Sequence, residues 1–398
     1  MNKVKIAAII AEFNPLHEGH KHIIKQARTQ TEASHVLIIQ SGNFTQRAEP
    51  AILPKHVRAE EALRNGADAV CEIPTAFATG NAEIFAKASV QIAHSFPHIT
   101  NLVFGIEPIM GTAEATVALL KKIATAQVKR RKDFERFIKP HIKQGMSFDI
   151  ARCEVVKKLL PNIPSHIIES AMRTSNNILG IEYLKELCRL KSKIVPIGIA
   201  RINNLSASEI RKQMIKRRSN IPCYEKFGAM ALFNMRRNMS PDIYNSNPEL
   251  VNLLFNASPA TYDDLKLHVP TRRFSISRIS RLALHATLGI TKKDMAFLYD
   301  NEHLPYTNLL AIKSSEGSLF SALCLNENTP LVVRGNRNKP KDSAYARALM
   351  RVDEVAELMY QTVCGRIFLN RPVFQSPTLI EAPKSMRKKS APSDGAPK

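Results

Sequence analysis

Residues 9–22 read IIAEFNPLHEGHKH and hold an H-x-G-H tetrad, His17-Glu18-Gly19-His20. Imidazoles three residues apart share one face of a helix, and both can donate hydrogen bonds to phosphate oxygens. Gly19 leaves room for a phosphate or a ribose to approach the backbone. A helix opening at His17 adds free N–H groups and a positive dipole end, which also suit phosphate. An H-x-x-H is equally compatible with two solvated histidines or half a metal site. Placement favours phosphate, because the tetrad follows a strand and opens a helix. A second such stretch is Ser206-Ala207-Ser208-Glu209-Ile210-Arg211-Lys212. Serine followed three residues later by glutamate is a capping-box pattern. Alone it is a well-capped helix. Paired with the tetrad it reads as a second phosphate-binding helix start, with Arg211 and Lys212 aimed at a polyphosphate.

The elements that must position these groups alternate strand and helix. VKIAAII is short, apolar and β-branched, as a buried parallel strand is. Asn14-Pro15 breaks it, and helical spacing then runs through Leu16, His20, Ile23, Ile24 and Ala27. HVLIIQ (35–40), DAVCE (68–72) and NLVFG (101–105) read as further strands. LPKHVRAEEALRNG, stopped near Gly66, and residues 81–95 read as helices. Repeated βα units predict a parallel sheet with helices on both faces, that is, an α/β fold. Ligands in such sheets bind at the carboxyl ends of the strands. Glu12–Asn14, Ser41–Gln46 and Gly105 all fall at such ends. TSNNILGIEYLKELCRL (174–190) reads as an amphipathic helix with Ser175 or Asn176 as N-cap, and KIVPIGIA (193–200) as a strand ending at Arg201.

At 398 residues the chain has room for two or three domains, and 44% hydrophobic content supplies an ordinary core. The net charge of +22, from 57 basic and 35 acidic side chains, favours a polyanionic partner, most often RNA or DNA. With no tryptophan and few aromatics, extended base-stacking platforms are not advertised. Residues 111–160 read as helical and strongly basic, with Lys129, Arg130, Arg131, Lys132, Arg136, Lys139 and Lys143 barely interleaved with acids. Past about residue 220 helical periodicity dominates, and Arg272, Arg273, Arg278 and Arg281 form another basic segment. Both segments suit phosphate contacts of a nucleic acid, or are plain charged helix faces. Residues 381–398, rich in Pro, Ser, Lys and Ala, read as a disordered basic tail. No apolar run approaches the ~20 residues of a membrane span, and the N-terminus lacks a cleavable signal, so a cytoplasmic protein is expected. The six cysteines include no C-x-x-C, and no acidic cluster marks a protein-held metal.

Taken together, these segments resemble the bacterial tRNA(Met) cytidine acetate ligases, a HIGH-type, nucleotidyltransferase-like family. AEFNPLHEGHKH resembles its A-E-Y/F-N-P-F/L-H-N-G-H stretch, and SGNFTQRAEPA its S-G-x-F-x-Q-R-G-E-P-A. FGIE, SNNILGIEYLK, IVPIGIAR, SASEIRK and TRRFSISRISRLALHATLGI match further family segments in order, to about residue 380. The resemblance implies a Rossmann-like nucleotidyltransferase domain over 1–220, with a basic helical insertion at about 111–165. A mainly helical C-terminal domain over 221–380 would contact tRNA. It implies acetyl-adenylate formation from acetate and ATP, with Mg²⁺ expected alongside, then acetyl transfer to the wobble cytidine of elongator tRNA(Met). The ATP site would comprise Ile10, Ala11, Glu12, Phe13, Asn14, Pro15, Leu16, His17, Glu18, Gly19, His20, Lys21 and His22, with Gly105, Asn176 (or its neighbour Asn177) and Arg201. His17 and His20 would stabilise charge at the α-phosphate. Three features depart from the pattern: Glu18 in place of Asn, Ala48 in place of Gly, and a short link, 202–205, before Ser206. Two other readings remain open at this point. One is a small-molecule adenylyltransferase of the same superfamily, and the other a non-catalytic RNA-binding relative.

Overall fold

The computed structural model describes residues 4–202, 207–217, 221–271, 273–324, 326, 328–333, 343–365 and 378–380. The expected contacts Ser206 and Arg272, most of the 202–205 link and the tail at 381–398 lie outside the described residues.

The N-terminal part carries strands Ile6–Ala11 (β1), His35–Ser41 (β2), Ala69–Ile73 (β3), Ile99–Ile106 (β4) and Val195–Ala200 (β5). Its helices are Glu18–Gln30 (α1), Lys55–Arg64 (α2), Thr75–Ala78 (α3), Ala82–Ser95 (α4), Ala113–Lys129 (α5), Arg131–Lys143 (α6), Phe148–Leu159 (α7), Ser165–Ala171 (α8), Ser175–Arg189 (α9) and Ala207–Arg217 (α10). The remainder is mostly helical: Tyr224–Asn238 (α11), Pro248–Ala257 (α12), Tyr262–His268 (α13), Ile276–Leu288 (α14), Lys292–Asp300 (α15), Gly317–Cys324 (α16) and Ala344–Val363 (α17). It also supplies strands Thr307–Lys313 (β6), Leu331–Val332 (β7) and Thr378–Ile380 (β8).

All strands join one sheet in the order β5-β4-β1-β2-β3-β6-β7, with β8 paired to β6. The first five are mutually parallel, as the βα pattern predicts. The late strand β6 lies antiparallel against β3, so the sheet runs on beyond the βα units. Alternate residues of β1 divide between the two faces: Ile6, Ala8 and Ile10 join one core, Ala7 and Ile9 the other. Both faces are therefore covered, and β1 reads as a continuous apolar run. Register aligns the carboxyl ends, with Ala11 opposite Gln40, Gln40 opposite Glu72 and Ile106 opposite Ala200. From β1 the chain steps outward to β2 and β3, then returns to place β4 on the other flank. The switch point thus lies between β1 and β4, beside the start of α1.

Two local expectations need correction. Thr174, extended at φ −97° and ψ 142°, stands at the N-cap of α9, and Ser175 is already helical. The basic run at 129–143 is also better neutralised than its spacing predicts. Lys129 ends α5 and Arg130 forms the break before α6. Asp133 then accepts from Arg130 (3.2 Å) and Arg136 (3.0 Å), while Glu135 accepts from Arg131 (2.7 Å). Helical spacing of three and four residues makes these pairs.

Candidate active site

At the switch point a cavity of about 450 Å³ opens over the carboxyl ends of β1, β4 and β5. One wall is the turn from β1 into α1. Phe13 adopts a left-handed backbone (φ 47°) and is buried, and its ring meets His20 edge-on at 4.9 Å. His17 is the N-cap of α1, in an extended conformation. Its ring stacks on His20 with centroids 3.7 Å apart. A Cβ on Gly19 would lie 3.0 Å from Cε1 of His17, so only glycine lets that ring rest over the backbone. His20 Nδ1 accepts the backbone N–H of His17 at 3.3 Å, which leaves the ring proton on Nε2.

Two stacked imidazoles disfavour protonation of one another. Burial, then His17, lowers the pKa of His20 to about 3. Burial, then the charge of Arg201, lowers that of His17. Both are therefore neutral single donors near pH 7, with the first N–H groups of α1 beside them.

The opposite walls come from β4, α9 and the segment after β5. Gly105, Asn176 and Arg201 all line the cavity. Glu107, which the sequence reading missed, ties them together. Its Oε1 accepts from Asn176 Nδ2 at 3.0 Å and lies 3.6 Å from Arg201 Nη1. Asn177 is fully buried and uses both ends of its amide on the Glu107 backbone, at 3.0 and 2.9 Å. Of the two asparagines, Asn176 is the one that lines the cavity.

The third wall is the loop after β2 together with α10. Thr45, Gln46, Arg47, Glu49 and Pro50 line it, with Tyr224 from α11 and Tyr183 from α9. Sequence reading placed Ser41–Gln46 at a strand end without naming these as contacts. Arg211 donates to Asn14 O (2.7 Å) and Ser208 Oγ (3.0 Å), and both Arg211 and Ser208 line the cavity. Glu12 Oε1 accepts the Gln46 backbone N–H at 2.6 Å. Burial raises the pKa of Glu12, although that hydrogen bond and Arg58, Arg47 and Arg211 oppose it.

Of the sequence-predicted group, Ile10, Ala11, Glu12, Phe13, Asn14, His17, Gly19, His20 and His22 line the cavity, and Pro15, Leu16, Glu18 and Lys21 do not. Lys212 is exposed and also lies outside the lining. Glu18 turns away and pairs with Lys21 at 2.7 Å. Among the described residues no group of three or more His, Cys, Asp or Glu could hold a metal ion. Nor is any described helix long and apolar enough to cross a membrane.

Beneath the cavity lie buried charges that sequence reading assigned to an ordinary helix. Arg58 of α2 is fully buried. It donates to the carbonyls of Glu12, Gly42, Ser41 and Leu53, clamping the ends of β1 and β2. Lys55 Nζ contacts Glu72 at 2.9 Å and Glu357 of α17 at 3.3 Å, and Asn43 donates to Glu357 at 2.7 Å. Burial alone would lower the pKa of Lys55, but the two carboxylates outweigh it and raise it.

The basic segment at 273–281 is divided. Arg273 pairs with Glu249 at 2.7 Å. Arg278 lies 5.0 Å from the Phe274 ring, and the Nε atoms of Arg278 and Arg281 are buried without a hydrogen-bond partner. Arg281 feels the carboxylate of Asp149 at the start of α7.

The sequence matches the HIGH Nucleotidyl Transferase family over residues 4–222 and 208–368. It is 31% identical over 374 residues to the tRNA(Met) cytidine acetate ligase of Acetivibrio thermocellus, covering 83% of this chain and 88% of that one. The chain belongs to the tRNA(Met) cytidine acetate ligase family. The ligase of Caldanaerobacter subterraneus subsp. tengcongensis is 34% identical over 322 residues, covering 72% of this chain and 78% of the relative. Among solved structures, Thermotoga maritima TmcAL bound with alpha-thio ATP shares the fold, with a TM-score of 0.85 at 24% identity, over 95% of this chain and 100% of that one. Tetrad, strand-end loops and the late basic helix thus all lie within the span shared with other ligases of this family.

Proposed function

We propose that this protein joins acetate to ATP, releasing pyrophosphate, and passes the acetyl group from acetyl-adenylate to the wobble cytidine of elongator tRNA(Met). The observation that carries this reading is the stacked, neutral His17–His20 pair at the helix start, facing a cavity at the switch point of a family sheet. Attack of a carboxylate on an α-phosphate needs positioning and neutralisation of charge more than covalent help. His17 and His20 donate to the α-phosphate oxygens. Asn176, held by Glu107, and side-chain-free Gly105 receive the nucleoside. Arg201 and the braced Arg211 hold the polyphosphate. Mg²⁺ accompanies ATP through its phosphates. The carboxyl-end cavity belongs to a catalytic unit ending near residue 220, and the helical remainder grips the tRNA. Arg278 and Arg281, and separately the Lys129–Lys132 segment, are the phosphate contacts.

Incubation with ATP, labelled acetate and total tRNA, followed by nucleoside digestion, should yield labelled acetylcytidine. Pyrophosphate release that ignores acetate would point instead to a small-molecule adenylyltransferase. RNA binding without turnover would point to a non-catalytic relative. Binding of tRNA should weaken steeply with salt, and a flat salt response would remove the basic segments from the interface.

A further inference from the structure

We infer that Glu12 is the base that accepts the proton lost by the cytidine amine during acetyl transfer. The inference rests on the function proposed above. In that step the N4 nitrogen attacks the acetyl carbonyl carbon. A C–N bond forms, the C–O bond to the phosphate breaks, and AMP leaves with that electron pair. The amine lone pair is conjugated with the pyrimidine ring, so the nitrogen cannot carry an extra proton. Its N–H proton must pass to a base within hydrogen-bond reach.

The cavity offers few groups suited to this. His20 has its Nδ1 occupied by the His17 N–H, and burial makes it a feeble base. The guanidinium groups of Arg47, Arg201 and Arg211 hold their protons. Glu107 meets Asn176 and Arg201 through Oε1 alone, but its unpartnered Oε2 is buried away from the cavity surface, as is His17 Nδ1. Glu12 directly follows β1, the strand that feeds the histidine turn, and its carboxyl faces the loop after β2. One oxygen is fixed by the Gln46 N–H at 2.6 Å. The other has no hydrogen-bond partner among the described residues. The carboxyl is thus oriented by one oxygen and left with the other to receive a proton. Groups from several elements surround it. Arg58 comes from α2, Arg47 from the loop after β2, Arg211 from α10, and Tyr183 from α9. The three cations allow it to ionise inside the cavity, while burial strengthens it as a base.

Glu12→Gln keeps an acceptor for the Gln46 N–H and removes the base. Three rates separate its effect. The first is acetate-dependent pyrophosphate exchange without tRNA. The second is single-turnover transfer from acetyl-adenylate to tRNA. The third is acetohydroxamate formation with hydroxylamine, a nucleophile basic enough to need no protein base. Transfer to tRNA should fall about 10²–10⁴-fold, and by at least about tenfold more than exchange or acetohydroxamate formation. The wild-type transfer rate should climb with pH through the ionisation of one carboxyl, and the variant should lack that limb. Glu12→Asp, with its base set back by one methylene, should give an intermediate transfer rate. Equal losses in all three reactions would assign Glu12 a structural role and overturn the inference. So would unimpaired transfer, or a larger loss in Glu49→Gln than in Glu12→Gln. Wild-type protein that adenylates acetate but never modifies tRNA rejects the proposed function, and the inference with it.

Discussion

The proton on His20 can be located by substitution. Its Nδ1 accepts the His17 backbone N–H, so Nε2 carries the hydrogen, the one that the proposed function directs to the α-phosphate. Glutamine places an amide nitrogen near the Nε2 position, whereas asparagine places its polar atoms near Nδ1. The two substitutions therefore remove different bonds. Loss of one donor to transition-state charge costs about 2.7–4 kcal/mol, or roughly 10²–10³ in kcat. Loss of a helix N-terminal cap bond costs about 0.5–2 kcal/mol of stability, and the 3.3 Å length places this one near the lower end.

His20→Asn should thus lose about 100-fold or more in acetate-dependent pyrophosphate exchange while unfolding in urea near the wild-type midpoint. His20→Gln should recover to within about tenfold of wild type yet lose about 0.5–1 kcal/mol of stability. His20→Ala should show both losses. Because burial lowers the His20 pKa to about 3, the wild-type exchange rate should show no histidine limb near pH 6.5. An asparagine variant as active as the glutamine variant, or a limb at pH 6.5 that disappears in His20→Gln, would refute the assigned tautomer.

Three further outcomes follow from groups around the site. Lys55→Met leaves Glu72 and Glu357 buried without their cation and should cost about 3–5 kcal/mol in urea unfolding, a loss that Lys55→Met with Glu72→Gln and Glu357→Gln partly restores. Asn177→Ala strands both backbone groups of Glu107 and should cost about 1–3 kcal/mol of stability, whereas Asn176→Ala should chiefly raise the KM for ATP in pyrophosphate exchange. His285 is fully buried, hydrogen-bonded to Thr79, and held neutral down to about pH 3 by burial and Arg281. The unfolded chain protonates it near pH 6.5 and the folded chain does not, so stability falls as pH drops below 6.5. At pH 5.5 this loss is about 1.4 kcal/mol relative to pH 7.5, and His285→Gln should abolish it in paired urea titrations.

The parts legible in the sequence were those whose signal is local. β1 declares itself as an apolar run broken by Asn14-Pro15, and the histidines declare themselves by spacing. The lateral order of the sheet is not local. β6 is one strand among helices, and nothing in its own residues says that it pairs antiparallel with β3. The buried charges were misread for a related reason. Lys55 and Arg58 look like the solvated face of α2 until Glu357 arrives from the far end of the chain and the strand-end carbonyls converge on the guanidinium. Glu107 stayed hidden because its role depends on Arg201, which the β4–β5 register brings near it, and on Asn176 of α9, far along the chain.

The two described departures from the family pattern show why sequence distance alone misjudges a site. Glu18 stands between the histidines in the chain but about 200° from His20 around the helix. Its side chain is 67% exposed and paired with Lys21. Its carboxylate therefore stays outside the cavity lining, although its charge still acts on His17, and at the first turn of α1 it suits the helix dipole. Ala48 takes a left-handed backbone, φ 59°, where glycine would be at ease. That conformation costs an L-residue about 1–2 kcal/mol, and the fully buried methyl returns about 0.8 kcal/mol. Ala48 also lies outside the cavity lining, so the residual strain falls on the loop's stability and not on the surface that meets the substrate. In both cases the direction of the side chain, and not its closeness to the motif, decides what the change can affect.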